Sequence, residues 1–370
     1  MKVEVVGPGT IGARVANALL RARELLGIDE VIVFKRRFDP QYMSDLWQLK
    51  SRGAKLALKK ENFEEFARFG LEADYEEMEA LSGCEVVVDC TTDGEAGKFR
   101  GKYEDACYQA KGLICQGSKK DRGFGKRLFV YGVNLDAVDF TRDRFIQLGS
   151  CNTHACAILT KAFLSRFPLA DIDWIFFDIN RRDSDLNQPK ASVRSLEVCR
   201  FDDPVFGTHQ AADVAEVFWT KGVDLRGRIV SATKKVAEPY FHCGTFKVDF
   251  SRRVSKGEVE EALREEQPLI IRTTRGFDHY NFEACRRWCD HSMGTFYNLA
   301  CVYDCEVFDG GNGRSTAIGR FFTPQDGNVV LSNIAAISGY IHGALKGEIL
   351  KALERTFLLS LPQTEGFLSI

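Results

Sequence analysis

Along the first 150 residues, apolar positions switch between a strand period and a helix period. Val3, Val5 and Val6 form an apolar strand. A glycine-rich turn follows, and then Val15, Ala16, Leu19 and Leu20 recur at helical spacing. A second strand, Glu30 to Phe34, ends in Lys35, Arg36 and Arg37. The stretch from Gln41 to Leu81 reads as polar and helical. Next come a buried strand over Cys84 to Cys90, a helix over Tyr103 to Ala110, and a short strand over Gly112 to Cys115. Phe145 to Leu148 is the last strand of the series. This alternation predicts an α/β domain with a parallel sheet. Thr91, Thr92, Gly117 and Ser118 all fall at strand carboxyl ends, where an open α/β sheet binds its ligand.

From Asp171 onward the strands are longer: Asp173 to Asn180, Arg228 to Thr233, His242 to Phe250, Leu269 to Thr273, Tyr297 to Phe308 and Ser315 to Thr323. Gly310-Gly311-Asn312-Gly313 between the last two is a hairpin connection. Lys256 to Glu266 reads as a helix burying Val259, Ala262 and Leu263. The tail from Asn333 to Leu359 reads as one amphipathic helix through Ile334, Ile337, Ile341, Leu345, Ile349 and Leu353. The predicted architecture is a Rossmann dinucleotide-binding domain over 1–150, completed by the C-terminal helix 332–360. An α+β catalytic domain with a mixed or antiparallel sheet spans 151–331.

Composition narrows the class. The 370 residues are 45% hydrophobic and 28% charged, which fits a soluble globular chain large enough for two cores. A net charge of −2 gives no reason to expect nucleic acid or an anionic membrane as partner. No apolar run approaches a membrane span, and the chain starts directly on a strand without a secretory region. Twelve cysteines in such a chain then point to reduced thiols in the cytoplasm rather than a disulfide framework.

The opening turn carries the first candidate chemistry. Gly7, Gly9 and Gly12 have the G-x-G-x-x-G spacing between a strand and a helix. The first glycine permits a tight turn, the second lets backbone approach a pyrophosphate, and the third lets helix pack on strand. The phosphates then lie against the helix N-terminus. Basic residues, not an acid, end the second strand, and a 2′-phosphate is accommodated by basic groups there. Lys35 and Arg36 therefore point to NADP as the preferred nucleotide, with NAD also possible.

The second candidate is FIQLGSCNTHACAIL. A strand passes through Gly149 and Ser150 into a helix, which puts Cys151 at a corner near a helix N-terminus. Main-chain N–H groups and the helix dipole favour a thiolate there. Asn152 and Thr153 stand ready to cap the helix or to donate to an oxyanion beside the sulfur. Such a thiolate can add to an aldehyde. The resulting thiohemiacetal releases hydride to a nicotinamide and leaves a thioester. The chain offers six histidines as candidates for the base. His154 lies close in sequence, but three helical residues do not by themselves bring it to the sulfur. Arg181 and Arg182 close the Asp173 to Asn180 strand and suit an anion, although such a pair is usually solvated. A metal site from Cys285, Cys289, Cys301, Cys305, His279 and His291 is disfavoured. Cys301 and Cys305 sit about 13 Å apart along a strand, too far for one tetrahedral zinc.

The order of these segments, with VVVDCTTDG, ICQGSKKD, SCNT, Asn180-Arg181-Arg182-Asp183, Thr208-His209-Gln210, YFHCGTFKVDF and PQDGNVVLSN, resembles the archaeal-type (type II) glyceraldehyde-3-phosphate dehydrogenases. The resemblance covers most of the chain. It implies Cys151 as nucleophile and His242 as its base, with Ser150, Asn152, His209 and Gln210 around the substrate. Thr10, Ile11, Gly117 or Ser118, Arg182 and Gln325 would lie around the nucleotide. It further implies a phosphorylated aldehyde and inorganic phosphate as partners, and a homotetramer. The sequence departs from the family at His154 and Ala155 after SCNT, and at His209-Gln210 in place of a His-His pair. These positions border the phosphate-recognising region. A related semialdehyde or acyl-phosphate dehydrogenase is the alternative enzyme. A nucleotide-binding regulator that has lost turnover is the alternative outside enzymes.

Overall fold

The structure is a computed structural model, and it describes residues 1–91, 95–117, 124–125, 127–183, 196–237, 241–272 and 295–359. Among these, 1–150 with 329–356 form one compact unit, and 151–328 with 357–359 form a second.

In the first unit the strands are β1 (Lys2–Val6), β2 (Glu30–Lys35), β3 (Lys55–Leu58), β4 (Tyr75–Glu76), β5 (Val86–Asp89), β6 (Gly112–Gln116), β7 (Leu128–Phe129) and β8 (Phe145–Leu148). They make an eight-stranded sheet in the order β4-β3-β2-β1-β5-β6-β8-β7, parallel at every pairing. The order reverses between β1 and β5, which is where an open α/β sheet leaves its ligand crevice. The helices are α1 (Thr10–Leu26), α2 (Met43–Ser51), α3 (Phe63–Ala67), α4 (Glu77–Gly83) and α5 (Glu95–Ala106).

Two boundaries here differ from the sequence expectation. Lys55–Leu58 is a strand inside the stretch read as helical. Its four residues are too few to show a period, and only pairing beside β2 buries Leu56, Ala57 and Leu58. Helix α5 begins well before Tyr103. Its first turns are charged outside and bury mainly Ala96, so the apolar signal starts late.

The second unit holds α6 (Cys151–Arg166), β9 (Ile172–Arg182), β10 (Glu197–Val198), α7 (His209–Trp219), β11 (Ile229–Val236), β12 (Phe241–Phe250), α8 (Lys256–Glu265), β13 (Ile270–Arg272), β14 (Ala300–Gly311) and β15 (Arg314–Pro324). Its seven strands run in the order β10-β11-β9-β12-β15-β14-β13, a mixed sheet. Pairs β11–β9 and β13–β14 are parallel, and the others are antiparallel. The β14–β15 hairpin turns on Asn312-Gly313, both at positive φ (51° and 76°), as a two-residue hairpin loop requires. Strand β9 runs through Arg181 and Arg182 rather than ending before them.

The tail is two helices, not one: α9 (Val330–His342), interrupted at Gly343, and α10 (Gly347–Phe357). Helix α9 returns to the first unit and packs on α1. It is buried from Val330 to Ile341, so its apolar residues circle the helix instead of forming one stripe.

Candidate active site

The glycine turn has the shape that its spacing implies. Gly7 sits at φ +79°, and a Cβ on Gly12 would lie 2.2 Å from the Gly7 carbonyl oxygen, so neither position admits a side chain. Above Gly9 the nearest atom to an added Cβ is a Tyr42 ring carbon at 3.9 Å, which leaves its backbone open to a ligand. Helix α1 opens with Thr10 and Ile11 in its first turn, with no acidic residue there and no side-chain cap. The cradle therefore fits a pyrophosphate, whose charge would meet the free first-turn N–H groups. Val6, Gly7, Phe34, Arg36, Thr91 and Tyr103 line a crevice beside it. At its rim Asp89 accepts from the Thr91 N–H (2.8 Å), the Thr91 hydroxyl (2.5 Å) and the Tyr103 hydroxyl (2.6 Å).

Lys35 and Arg36 are partly buried rather than free on the surface. The Lys35 ammonium stands 4.1 Å from the centroid of the Tyr42 ring. Arg36 lies over Phe99 at 5.1 Å and faces Glu95 at 3.5 Å. Gly117 follows β6 in a bend, while Ser118 and Thr92 lie outside the described residues.

In the second unit, packing of α6 along β12 brings Cys151 to His242. Phe163 rests against Phe246 and Phe250 at centroid distances of 5.6 and 6.3 Å. From Cys151 to Phe163 the helix rises about 18 Å, and from His242 to Val248 the strand advances about 20 Å. The two ends therefore coincide. Cys151 Sγ lies 3.2 Å from His242 Nε2. The main-chain N–H of Arg182 donates to His242 Nδ1 at 2.9 Å. Arg182 Nε donates to the Gln325 side-chain oxygen, so Arg182 and Gln325 form a pair beside the histidine.

Burial pushes the Cys151 thiol up to about 11, against the charges of Arg181 and Arg182 and the main-chain N–H groups of Asn152 and Cys151. The thiolate-favouring groups expected at this corner are present, but in the protein alone burial outweighs them. Burial, reinforced by the Arg182 and Arg181 charges, also holds His242 well below the usual histidine range. The resting pair is neutral thiol and neutral imidazole.

The remaining candidates take different places. Asn152 is buried one residue into α6, and its side-chain oxygen accepts no hydrogen bond from the described residues. Ser150, half-buried, ends the first unit just before the helix. His209 begins α7, with its N–H and Nδ1 on Asp202 at 2.9 and 3.1 Å. One turn on and on the same face, Asp213 accepts from the Thr153 hydroxyl of α6 at 3.1 Å. Gln210 is buried and accepts from Thr208 Oγ1 at 2.6 Å, so it is held among side chains of its own segment. His154 is fully buried within α6.

Asn328 was missed in the sequence. Its amide donates to the Cys151 carbonyl (2.7 Å) and to Thr323 Oγ1 (2.7 Å), which ties the start of α6 to β15. The only signal for it was its place within PQDGNVVLSN. Among the described residues no three acidic, histidine or cysteine side chains gather as a metal site, and no helix is long and apolar enough to cross a membrane. Cys285, Cys289, His279 and His291 lie outside the described residues.

No family model matches the sequence. Curated relatives do. A glyceraldehyde-3-phosphate dehydrogenase of Sulfolobus acidocaldarius is 22% identical over 365 residues, 96% of either chain. One from Metallosphaera sedula is 27% identical over 274 residues, 73% of either chain. One from Hyperthermus butylicus is 32% identical over 219 residues, 59% of this chain and 58% of its own. The chain is a homologue of the archaeal glyceraldehyde-3-phosphate dehydrogenases. The near end-to-end match with the Sulfolobus glyceraldehyde-3-phosphate dehydrogenase takes in both units, so the glycine cradle and the Cys151–His242 pair belong to one homologous chain.

Proposed function

We propose that this protein is a phosphorylating glyceraldehyde-3-phosphate dehydrogenase that uses NADP in preference to NAD. The observation that carries the reading is the 3.2 Å approach of Cys151 Sγ to His242 Nε2, in a chain that also carries a pyrophosphate cradle and is homologous to enzymes of that name. The Cys151 sulfur, once ionised, adds to the aldehyde carbon, and the carbonyl electron pair moves to oxygen. His242 faces the atoms that bond to that sulfur. Arg181 and Arg182 supply positive charge to an anionic substrate, and His209 lies toward the same helix face as the Asp213–Thr153 contact. A bound oxidised nicotinamide supplies the hydride acceptor, leaving a Cys151 thioester. Attack of inorganic phosphate on that thioester breaks the C–S bond, releases the acyl phosphate and returns the sulfur to Cys151.

Gly7, Gly9, Thr10, Ile11 and Gly12 would hold the pyrophosphate, and Lys35 and Arg36 the 2′-phosphate. For Gln325 and Arg182, a place at the nucleotide rests on the resemblance alone. A screen of phosphorylated and unphosphorylated aldehydes with both nucleotides, with and without phosphate or arsenate, tests the reading. Phosphate-dependent NADP reduction with glyceraldehyde 3-phosphate is expected. Turnover only with a semialdehyde would assign the alternative enzyme. No turnover, with nucleotide binding intact, would assign a regulator.

A further inference from the structure

Glu4 sits in the middle of β1, where its register partners are the apolar Ile32 and Val87. It is completely buried, and among the described residues its carboxyl oxygens meet only a weak pull from the Cys84 thiol. A buried acid left this way is costly to ionise. Alternation along the strand puts Glu4 on the same face as Val6, and Val6 lines the crevice beside the glycine cradle. Glu77, the first residue of α4, and Lys102, within α5, line the same crevice and pair at 2.5 Å. Both act on Glu4: the Glu77 charge opposes its ionisation and the Lys102 charge favours it. One cation therefore serves two carboxyls. Tyr103 of α5 and the thiols of Cys84 and Cys107 also face Glu4. Burial pushes all three up, Cys107 to about 12, so none of them adds a charge near neutral pH. The Tyr103 hydroxyl is spent on Asp89. Loss of the Glu4 proton thus leaves an uncompensated negative charge under the crevice.

We propose that the nucleotide and a proton on Glu4 bind together: the filled crevice favours the protonated carboxyl, and the ionised carboxyl weakens the nucleotide. This rests on the nucleotide-binding part of the dehydrogenase reading and not on its chemistry. The cause is electrostatic. A pyrophosphate on the Gly7 turn would stand three strand residues, about 10 Å, from Glu4. Both are negative, and protein rather than water fills the strand between them, so the repulsion is weakly screened. Repulsion of this size changes affinity by about tenfold. A ligand seated in the crevice also takes water from the Glu77–Lys102 pair, which further disfavours charge on Glu4.

Burial, with the Glu77 charge, raises the Glu4 carboxyl to about 8 in the protein alone, which sets the window. Below about pH 7 Glu4 keeps its proton with or without nucleotide, and affinity does not change. Between about pH 7 and 9 the free protein gives the proton up while the complex retains it. Affinity therefore falls as pH rises through this range, and each binding event takes up part of a proton. The linkage is reciprocal, so nucleotide raises the Glu4 carboxyl as much as ionisation of Glu4 weakens nucleotide.

The probe is NAD, which carries no 2′-phosphate to titrate. Calorimetry from pH 6 to 9, in buffers of different ionisation enthalpy, gives its Kd and the protons taken up. The unaltered protein is compared with Glu4→Gln or, if that variant does not fold, Glu4→Leu. Relative to the variant, the Kd of the unaltered protein should rise about fivefold from pH 7 to pH 9, with about half a proton more taken up per NAD near pH 8.5. Lys35, which burial lowers, is common to both proteins and cancels in the ratio. Parallel curves with equal proton uptake would overturn the proposal. In Glu77→Gln the Lys102 ammonium is free to pair with Glu4, so the decline should move to lower pH; a decline that stays in place would overturn the role of the cluster. If the unaltered protein binds no NAD at any pH, the nucleotide site itself is refuted and the proposal with it. A response that does not depend on Glu4 refutes the proposal alone and leaves the dehydrogenase reading standing.

Discussion

The side-chain amide of Asn328 donates to the main-chain carbonyl of Cys151 at 2.7 Å, so Cys151 is held from behind by a residue 177 positions later. The same amide reaches Thr323 Oγ1 at 2.7 Å and the Leu299 carbonyl at 3.3 Å. Asn328→Ala leaves these buried acceptors short of a donor, at a cost of about 1–3 kcal/mol. A lower denaturant midpoint and weaker turnover should appear together. A variant with unchanged midpoint and unchanged kcat would show that α6 is fixed by its apolar packing alone.

Much of this arrangement was legible in the sequence because it depends on local patterns. The strand–glycine–helix opening needs only residues 1–20. The Cys151 corner is a strand, two small residues and a helix. What the sequence could not show is set by partners far along the chain. The short strand Lys55–Leu58 is a strand because β2 lies beside it. The break at Gly343 was hidden by an apolar series that happens to stay in phase across it. The high thiol pKa of Cys151 also escaped, because local capping and dipole effects are readable from neighbours in sequence, whereas burial is a property of the folded unit. The resemblance implied that His242 goes with Cys151. Which nitrogen faces the sulfur depends on the end of the β9–β12 register and is visible only in three dimensions.

The thiolate, not the thiol, is the nucleophile, so the pKa of Cys151 sets its reactivity. With that thiol near 11 in the protein alone, its alkylation rate should climb about tenfold per pH unit from pH 7 to 10, followed by mass spectrometry of the Cys151 peptide. A plateau by pH 8 would mean that Arg181, Arg182 and the N–H groups prevail over burial. Cys151→Ser should abolish dehydrogenase turnover while leaving nucleotide affinity nearly unchanged, since the cradle residues lie elsewhere in the chain.

Nucleotide choice should respond to three side chains in opposite directions. A charge-assisted contact from Lys35 or Arg36 to a 2′-phosphate contributes about 1.5–3 kcal/mol, roughly tenfold or more in kcat/KM for NADP. Lys35→Ala and Arg36→Ala should each lower kcat/KM for NADP and spare NAD. Glu95 already faces Arg36 at 3.5 Å and competes with a phosphate for it. Glu95→Gln should therefore raise the NADP preference, and rising salt should shrink it. Parallel losses for NADP and NAD would place the selectivity elsewhere.

Glu4 is a carboxyl inside β1 that the pattern of valines around it conceals. It is fully buried, and burial, with the nearby Glu77 charge, raises it from 4.5 to about 8; Lys102 and Cys84 pull the other way. Lys102 is itself paired with Glu77 at 2.5 Å. The folded chain therefore keeps a proton on Glu4 that the unfolded chain gives up above pH 4.5. Stability then declines as pH rises from about 4.5 to about 8 and levels off above it. The loss attributable to this group is on the order of 5 kcal/mol across that window. Glutamine mimics the protonated acid and does not ionise. Denaturant unfolding of the unaltered protein and of Glu4→Gln should give similar stability near pH 5 and a clear advantage to the variant at pH 8. Curves that run parallel across this range would show that Glu4 is ionised in the fold, neutralised by Lys102.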